Sequence, residues 1–340
     1  MIQLAEMSSP RPEPMWELIK QCGVTNVVAM LNGAEQEQRM FASVGKGVIA
    51  RAGKDDVPWG EAAIKRDMDL FARNGLKVIA IEDTAPMDKV RLGLPGRDEE
   101  IENVITQLTA MGNLGIEVLC YNWMALSSWA RTDVAVPSRG GALVTGFNRA
   151  AAAALPPLVA PGEVTEEQLW DSLAYFLDAV LPAAEAAGVR MGLHPDDPPL
   201  ALVRNLPHIM VSPDAYRRLL SLNSSPSNGI TFCQGNFALM GDDLPTLIRE
   251  FGSAIAFVHF RDVRGTVDDY VETFQDDGQN DMAACMRAYQ EIGFSGPMRP
   301  DHVPTMYGET NDRPGYETLG RLFALGYIRG LEQSTYGRAR

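Results

Sequence analysis

The sequence predicts an α/β fold, a single (β/α)8 or TIM barrel domain that spans residues 1–340. Short apolar segments rich in β-forming residues alternate eight times with longer segments of helical periodicity. Glycines follow several of the helical segments, where a helix commonly ends in a left-handed residue. Repeated strand and helix units predict parallel strands joined by crossovers, and eight such units close into a barrel.

The eight predicted strands are short and mostly apolar, as a parallel sheet covered on both faces requires. They lie at Ile2–Glu6, Asn26–Leu31, Lys77–Glu82, Glu117–Tyr121, Arg190–His194, Ile230–Cys233, Ala256–His259 and Pro297–Arg299. The predicted helices lie at Pro14–Gln21, Gly60–Asn74, Asp98–Met111, Glu166–Ala187, Pro213–Leu222, Leu244–Phe251, Met282–Ile292 and Gly315 to about Gln333. Thr165 and Gln168 predict a capping box at the start of the fourth helix.

One connection is much longer than the others. Residues 122–165 follow the fourth strand and show no clear periodicity. Because this connection leaves the carboxyl end of a strand, we expect it at the C-terminal rim, where barrel enzymes keep their substrate loops. The alanine and proline run at 150–161 predicts a plain surface linker.

The composition limits the class of partner and the compartment. A formal net charge of -14 argues against nucleic acid or an anionic membrane surface, because both need a basic footprint. No apolar run is long enough to span a bilayer, and the N-terminus lacks the basic and apolar regions of a signal peptide. The four cysteines lie far apart without CxxC spacing, which predicts reduced thiols and a cytoplasmic protein.

Four consecutive predicted strands end at a residue able to bind a metal ion, namely His194, Cys233, His259 and Asp301. Since all strand carboxyl ends of a parallel barrel face one side, these side chains should converge despite their irregular spacing. Histidine is the commonest protein metal ligand, and thiolate and carboxylate complete a mixed site. Singly, each residue has an ordinary explanation as a small core residue or a satisfied polar group. Their shared position at strand ends favours a metal site.

Other polar residues lie beside these four. His302 follows Asp301 and should face the substrate if Asp301 faces the metal, and Tyr316 lies where the same loop enters the last helix. Asp196 or Asp197 could accept the second ring N–H of His194, or serve as a cap or turn residue. We assign His208 to a loop or rim position, away from the strand ends.

Six sequence blocks resemble the mannonate dehydratases, metal-dependent enzymes of sugar-acid degradation. They are IEDTAPMDKVRLGLPGRDEEIENV, GIEVLCYNWMALSSWARTD, RMGLHPDDPP, NGITFCQGN, FVHFRDV and RPDHVPTMYGETNDRPGY. The resemblance implies a barrel of the xylose isomerase-like type, a sugar-acid substrate, and manganese (Mn2+) or iron (Fe2+) held by the four residues above. Ligand softness alone also allows zinc. The family's catalytic His and Tyr fall on His302 and Tyr316.

The first third departs from this resemblance. Family members usually open with an Arg-Trp-Tyr-Gly segment on the first strand and carry further substrate-facing residues after the second. Here the corresponding stretches are 4–7 (Leu-Ala-Glu-Met) and 32–35 (Asn-Gly-Ala-Glu). The metal and proton chemistry is therefore expected to be kept, whereas recognition of the far end of the sugar is expected to differ.

The resemblance implies a hydro-lyase that eliminates water from D-mannonate or a related aldonate to give a 2-keto-3-deoxy acid. We favour Tyr316 as the base for the C2 proton and His302 as the acid. One alternative is a metal-dependent isomerase or epimerase of the xylose isomerase-like class, whose sites are typically richer in Glu and Asp. Another is a non-catalytic sugar-acid-binding barrel. A homo-oligomer is expected from the base rate for such barrels.

Overall fold

The computed structural model describes residues 1–31 and 57–337, and within these ranges eight parallel strands close into a barrel. The described strands are, in chain order, β1 (Gln3–Ser8), β2 (Asn26–Ala29), β3 (Lys77–Ile81), β4 (Val118–Asn122), β5 (Asp133–Pro137), β6 (Leu143–Asn148), β7 (Arg190–His194), β8 (Leu202–Val203), β9 (Leu206–Pro207), β10 (Asn228–Cys233), β11 (Ile255–Phe260), β12 (Val263–Thr266), β13 (Asp269–Glu272) and β14 (Pro297–Pro300). The barrel closes in the order β1, β14, β11, β10, β7, β4, β3, β2. The predicted fold class is confirmed.

The main helices follow the barrel strands and cover them from outside. They are Pro14–Gln21, Glu61–Arg73, Arg97–Asn113, Glu166–Ala187, Pro213–Leu222, Leu244–Phe251, Met282–Glu291 and Thr318–Tyr336. All eight predicted strands and all eight predicted helices are present, with ends that differ by a few residues at most. Three short helices in the part of the chain that the structure describes were not predicted, at Asp88–Arg91, Arg149–Ala153 and Gln234–Leu239. No helix within the described residues is both long and apolar enough to cross a membrane.

Local sequence explains where the longest helix begins and ends. The Thr165 side chain accepts a hydrogen bond from the backbone N–H of Gln168, whose side chain accepts one from the Thr165 backbone N–H. This reciprocal arrangement confirms the predicted capping box. At the other end Gly188 adopts φ 68°, a left-handed conformation that glycine reaches without a side-chain clash.

The barrel interior is apolar toward its amino-terminal end and polar toward its carboxyl-terminal end. Small and apolar side chains fill the interior, including Ala5, Val28, Ala80, Val118 and Phe257. Larger side chains pack between strands and helices in one continuous core. Because the apolar packing closes the lower interior, the polar residues at the upper strand ends are left to form a site.

The long connection is not the aperiodic loop that the sequence predicted. It carries β5 and β6, which join β12 and β13 in an antiparallel sheet of order β12, β13, β6, β5. The alanine-rich part of the predicted linker forms the short helix Arg149–Ala153, capped by the Asn148 side chain. Sequence periodicity missed this sheet because β6 pairs with a strand more than one hundred residues away and β5 is exposed on alternate residues.

The structure describes only one of the two stretches in which the first third departs from the family resemblance. Residues 4–7 lie on β1, where Glu6 is buried and its Oε1 accepts hydrogen bonds of 3.1 and 3.0 Å from Nε and Nη2 of Arg321. This ion pair ties the first barrel strand to the last helix. Residues 32–35 lie outside the described residues.

Candidate active site

The four predicted metal ligands meet at the carboxyl-terminal rim of the barrel. His194 and Cys233 end β7 and β10, His259 lies one residue before the end of β11, and Asp301 follows β14 directly. One ligand-type atom from each residue lies within 4.8 Å of the corresponding atoms of the other three. The parallel strands therefore bring together residues that are remote in the sequence, with His194 and Asp301 more than one hundred positions apart.

The distances within this cluster suit a single small cation. Nδ1 of His259 lies 3.2 Å from Nε2 of His194 and 3.6 Å from Oδ2 of Asp301. Sγ of Cys233 lies 3.9 Å from the same Asp301 oxygen. All but His194 are almost completely buried. Two imidazoles, a thiolate and a carboxylate form a donor set that fits a divalent transition metal.

The charges around the cluster also fit a divalent cation. In the ion-paired network around the four residues, three guanidinium groups face four carboxylates and one thiol whose pKa is low. They are Arg131, Arg261 and Arg299 against Glu82, Asp197, Glu272, Asp301 and Cys233. Burying an uncompensated charge is costly, so an excess of two negative charges favours a bound cation.

The pKa of His259 reflects the same excess of negative charge. Burial and Arg299 oppose a charge on its imidazole, but Glu82 and Asp301 outweigh them and raise its pKa well above the usual value. A proton on His259 thus offsets part of the negative charge, and a metal ion at the cluster would take its place.

The surroundings of Cys233 favour its thiolate form. Burial disfavours its ionised form, but Arg261 and His194 outweigh burial and lower the pKa of the thiol to about 6. Nη1 of Arg261 lies 3.4 Å from Sγ, and Nδ2 of Asn236 lies 3.5 Å from it. Since the thiolate is the form that binds metals, this environment favours a ligand role.

The predicted proton-transfer residues lie beside the same cluster. The Tyr316 hydroxyl donates a 3.0 Å hydrogen bond to Oδ1 of Asp301, and Nε2 of His302 lies 3.6 Å from Oδ2. The His302 and Tyr316 rings have centroids 5.2 Å apart, and the Trp129 ring contacts both. His302 adopts φ 42°, a backbone conformation that is uncommon for residues other than glycine.

The protonation states of His302 and Tyr316 are opposite to the acid and base roles that the sequence favoured. Burial, assisted by Arg261 and Arg131, lowers the pKa of His302 to about 4 in spite of the nearby carboxylates. Burial and the Asp301 carboxylate raise the pKa of Tyr316 well above its usual value. At neutral pH His302 therefore holds a free lone pair and Tyr316 holds a proton, whereas the sequence interpretation made Tyr316 the base.

The comparison with known families identifies the chain. A family model described as D-mannonate dehydratase (UxuA) matches residues 15–157 and 157–339. The chain belongs to the D-mannonate dehydratase family. The family resemblance inferred from the six sequence blocks and the hydro-lyase class are thereby confirmed.

Individual relatives agree with this family. The chain is 35% identical over 311 residues to a mannonate dehydratase of Enterococcus faecalis, covering 82% of this chain and 87% of that protein. It is 34% identical over 304 residues to mannonate dehydratase 2 of Halalkalibacterium halodurans, covering 80% and 87%. The crystal structure of the Streptococcus suis serotype 2 mannonate dehydratase superposes with a TM-score of 0.86 at 28% identity, covering 98% of this chain and 93% of that one.

More distant structures share the fold alone. A xylose isomerase domain protein from Planctomyces limnophilus superposes with a TM-score of 0.61 at 12% identity, covering 99% of each chain. This likeness supports the xylose isomerase-like type of barrel.

The mannonate dehydratase site contains a buried ring of ion pairs that sequence reasoning missed. Arg131 and Arg261 each contact both Asp197 and Glu272, at 2.8 and 2.6 Å for Arg131 and at 2.9 and 2.6 Å for Arg261. Arg131 also places Nη2 3.5 Å from Nε2 of His302. The ring thus joins the long connection, the loop after β7 and the antiparallel sheet to the cavity beside the four-residue cluster.

Some of these residues carried a sequence signal. Arg261 directly follows β11 and Arg299 lies on β14, so a charged residue in or beside an apolar segment could have marked each as a site candidate. Glu82, directly after β3, ended a predicted strand in the same way as the metal ligands. Arg131 and Glu272 gave no such signal, because they lie on a connection and a sheet that periodicity did not predict.

The loop after β7 corrects one prediction. Nδ1 of His194 lies 2.7 Å from the carbonyl oxygen of Pro195, so neither aspartate accepts that ring N–H. Asp196 instead accepts hydrogen bonds from the backbone N–H groups of Ile209 and Met210, so it links two loops and is neither a cap nor a local turn residue. His208 directly follows the short strand β9 and is buried. As predicted, it does not lie at the carboxyl end of a barrel strand.

Proposed function

We propose that this chain removes water from D-mannonate, or from a closely related aldonate, to give 2-keto-3-deoxy-D-gluconate or the corresponding acid. The reaction would use Mn2+ or Fe2+ held by His194, Cys233, His259 and Asp301. The observation that carries the proposal is the position of this four-residue cluster against a proton donor and a proton acceptor at one end of the barrel.

The cation would act on the acid function of the substrate. The C2 proton of an aldonate is weakly acidic, and a bound divalent cation supplies Lewis-acid stabilisation of the negative charge that develops as this proton leaves. The choice of manganese or iron rests on family resemblance, since the donor set also suits zinc. Reconstitution of metal-stripped protein with each metal separates these possibilities.

His302 and Tyr316 would move the two protons of the elimination. With its lone pair free, His302 accepts the proton from C2, and Tyr316 donates its hydroxyl proton to the departing C3 hydroxyl group. The opposite order would require Tyr316 to ionise beside the Asp301 carboxylate. Exchange of the C2 hydrogen with solvent deuterium distinguishes the two orders: it should persist in Tyr316→Phe and vanish in His302→Asn if His302 is the base.

The cavity wall supports a polyhydroxylated ligand, because the polar residues Asp83, Asn122 and Ser128 line it beside the proposed metal ligands. The Trp129 ring covers the proton-transfer pair and limits the access of water to it.

The decisive experiment is a turnover assay with defined metal and substrate. Metal-stripped protein is reloaded anaerobically with Mn2+, incubated with D-mannonate and a panel of other sugar acids, and scored for the 2-keto-3-deoxy product. Product from D-mannonate supports the proposal. Product from another acid alone means that the chemistry is kept and the specificity has moved. Bound Mn2+ without turnover of any acid would favour the isomerase or the non-catalytic alternative.

A compartment and an assembly state are also proposed. The four cysteines are free thiols, which agrees with a reducing compartment such as the cytoplasm. A homo-oligomer is proposed from the frequency of symmetric assemblies among such enzymes, and light scattering coupled to gel filtration tests it.

A further inference from the structure

A second group of potential ligands adjoins the metal cluster and shares one residue with it. Glu82, Cys120 and His259 also bring ligand-type atoms within 4.8 Å of one another. Glu82 follows β3 directly, Cys120 lies on β4, and His259 lies on β11. The group therefore spans the barrel interior next to the proposed ion.

The guanidinium group of Arg299 already supplies a positive charge to this second group. Both oxygens of Glu82 accept 2.6 Å hydrogen bonds from Arg299, one from Nε and one from Nη2. The Cys120 sulfur accepts a hydrogen bond from the Thr231 hydroxyl at 3.3 Å. A second metal ion would have to displace the guanidinium group of Arg299 from a buried bidentate pair, which is the strongest form of such an interaction. The group is better suited to orient the first site than to bind a second ion.

Glu82 determines which nitrogen of His259 faces the proposed metal ion. Nε2 of His259 lies 3.2 Å from Oε1 of Glu82, while Nδ1 points to His194 and Asp301. A ligating histidine commonly donates its second ring N–H to a carboxylate, which sets both tautomer and ring orientation. A proton on Nε2, which lies at ion-pair distance from Glu82, would leave the Nδ1 lone pair directed into the cluster.

The same carboxylate reaches a second ligand through Arg299. Nη1 of Arg299 donates a 2.9 Å hydrogen bond to Oδ1 of Asp301 and a 2.7 Å bond to the carbonyl oxygen of Pro300. Oδ1 of Asp301 is thereby occupied, and Oδ2 is the oxygen that faces His259 and Cys233. Arg299 thus connects Glu82 to the orientation of Asp301.

We propose that Glu82 is a positioning residue of the metal centre, which holds His259 directly and Asp301 through Arg299 so that Nδ1 and Oδ2 face the ion. The proposal rests on the metal site of the proposed function. Outer partners of this kind are typically worth 10- to 100-fold in metal affinity, by the general behaviour of carboxylates that contact ligating histidines.

The test compares Mn2+ binding to metal-stripped wild type, Glu82→Gln and Glu82→Ala, with free Mn2+ followed by electron paramagnetic resonance. Glu6→Gln is the matched control, because Glu6 also forms a buried pair with an arginine but contacts none of the four ligands. We expect the Kd for Mn2+ to rise about 10- to 100-fold in both Glu82 variants. Glu6→Gln should bind Mn2+ as the wild type does.

A measurement on the wild type keeps the proposal testable even if the Glu82 variants fail to fold. The chain has only four histidines, so nitrogen-15 histidine spectra of the Zn2+-loaded protein should resolve a His259 ring with a proton on Nε2 and a metal-shifted Nδ1. A proton on Nδ1, or unchanged Mn2+ affinity in folded Glu82→Gln, would overturn the role of Glu82. Failure of the wild type to bind Mn2+ is a separate result, which would overturn the metal site and the role of Glu82 with it.

Discussion

The pKa of Cys233 offers a direct test of how the site prepares its ligands. The sulfur is completely buried, yet Nη1 of Arg261 lies 3.4 Å from it, and the pKa of the thiol falls from 9.0 to about 6. Burial raises the pKa values of Cys22, Cys120 and Cys285. At neutral pH, Cys233 alone among the four should therefore be a thiolate in metal-free protein.

The depression corresponds to about 4 kcal/mol, since one pKa unit equals about 1.4 kcal/mol. Because the folded pKa is lower than the unfolded one, the unfolded chain binds the extra proton between pH 6 and pH 9. The contribution of Cys233 to the free energy of unfolding is thus complete above pH 9 and is lost as the pH falls through 6. At lower pH the ionisation of Cys233 contributes nothing to the free energy of unfolding.

The assay is the ultraviolet absorbance of thiolate in metal-free protein, titrated from about pH 5 to about pH 8. We expect one thiolate to appear with a midpoint near pH 6 in the wild type and none in Cys233→Ser over the same range. A rise that begins only above about pH 8, or that persists in Cys233→Ser, would refute the electrostatic account of this ligand.

Three further variants test other parts of the site, and a fourth, at an exposed ion pair, is a control. His302→Asn should lower turnover about 100- to 10,000-fold, the usual worth of a general acid or base, and leave the Kd for Mn2+ unchanged; undiminished turnover would exclude its role. Tyr316→Phe should cause a loss of the same order while its ring still packs on Trp129, and full activity would exclude proton transfer by the hydroxyl. Arg131→Met should lower the free energy of unfolding by about 3 to 5 kcal/mol in urea denaturation, because Arg261 alone is then left to balance two buried carboxylates. Arg149→Ala, which breaks an exposed pair, should change it by less than about 1 kcal/mol; equal losses would contradict this view of the ion-pair ring.

The barrel and the metal cluster were both predictable because each depends on short-range patterns. The barrel strands from Lys77–Ile81 to Pro297–Pro300 are short and mostly apolar runs, and glycines such as Gly188 mark the ends of helices locally. Once the strands are parallel, their carboxyl ends must share one rim, so His194 and Asp301 could be assigned to one site without knowledge of any distance.

The antiparallel sheet and the ion-pair ring were not predictable in this way. Asp133–Pro137 is exposed on alternate residues, and its sheet forms only because two distant connections lie side by side above the barrel. Arg131 and Glu272 are 141 residues apart and become partners through that sheet. A pattern in either segment alone cannot indicate such a pair.

The sequence by itself determined the fold class, the order of the strands and helices, the family, and the residues that could bind a metal or move a proton. Only the tertiary structure decided their chemical state. Whether Cys233 is a thiolate, whether His302 is neutral, and which nitrogen of His259 faces the cluster all depend on groups that burial and close approach bring to them. Electrostatic energies in a buried site depend on distances of a few ångströms, and those distances are set by packing between segments that are remote in the chain.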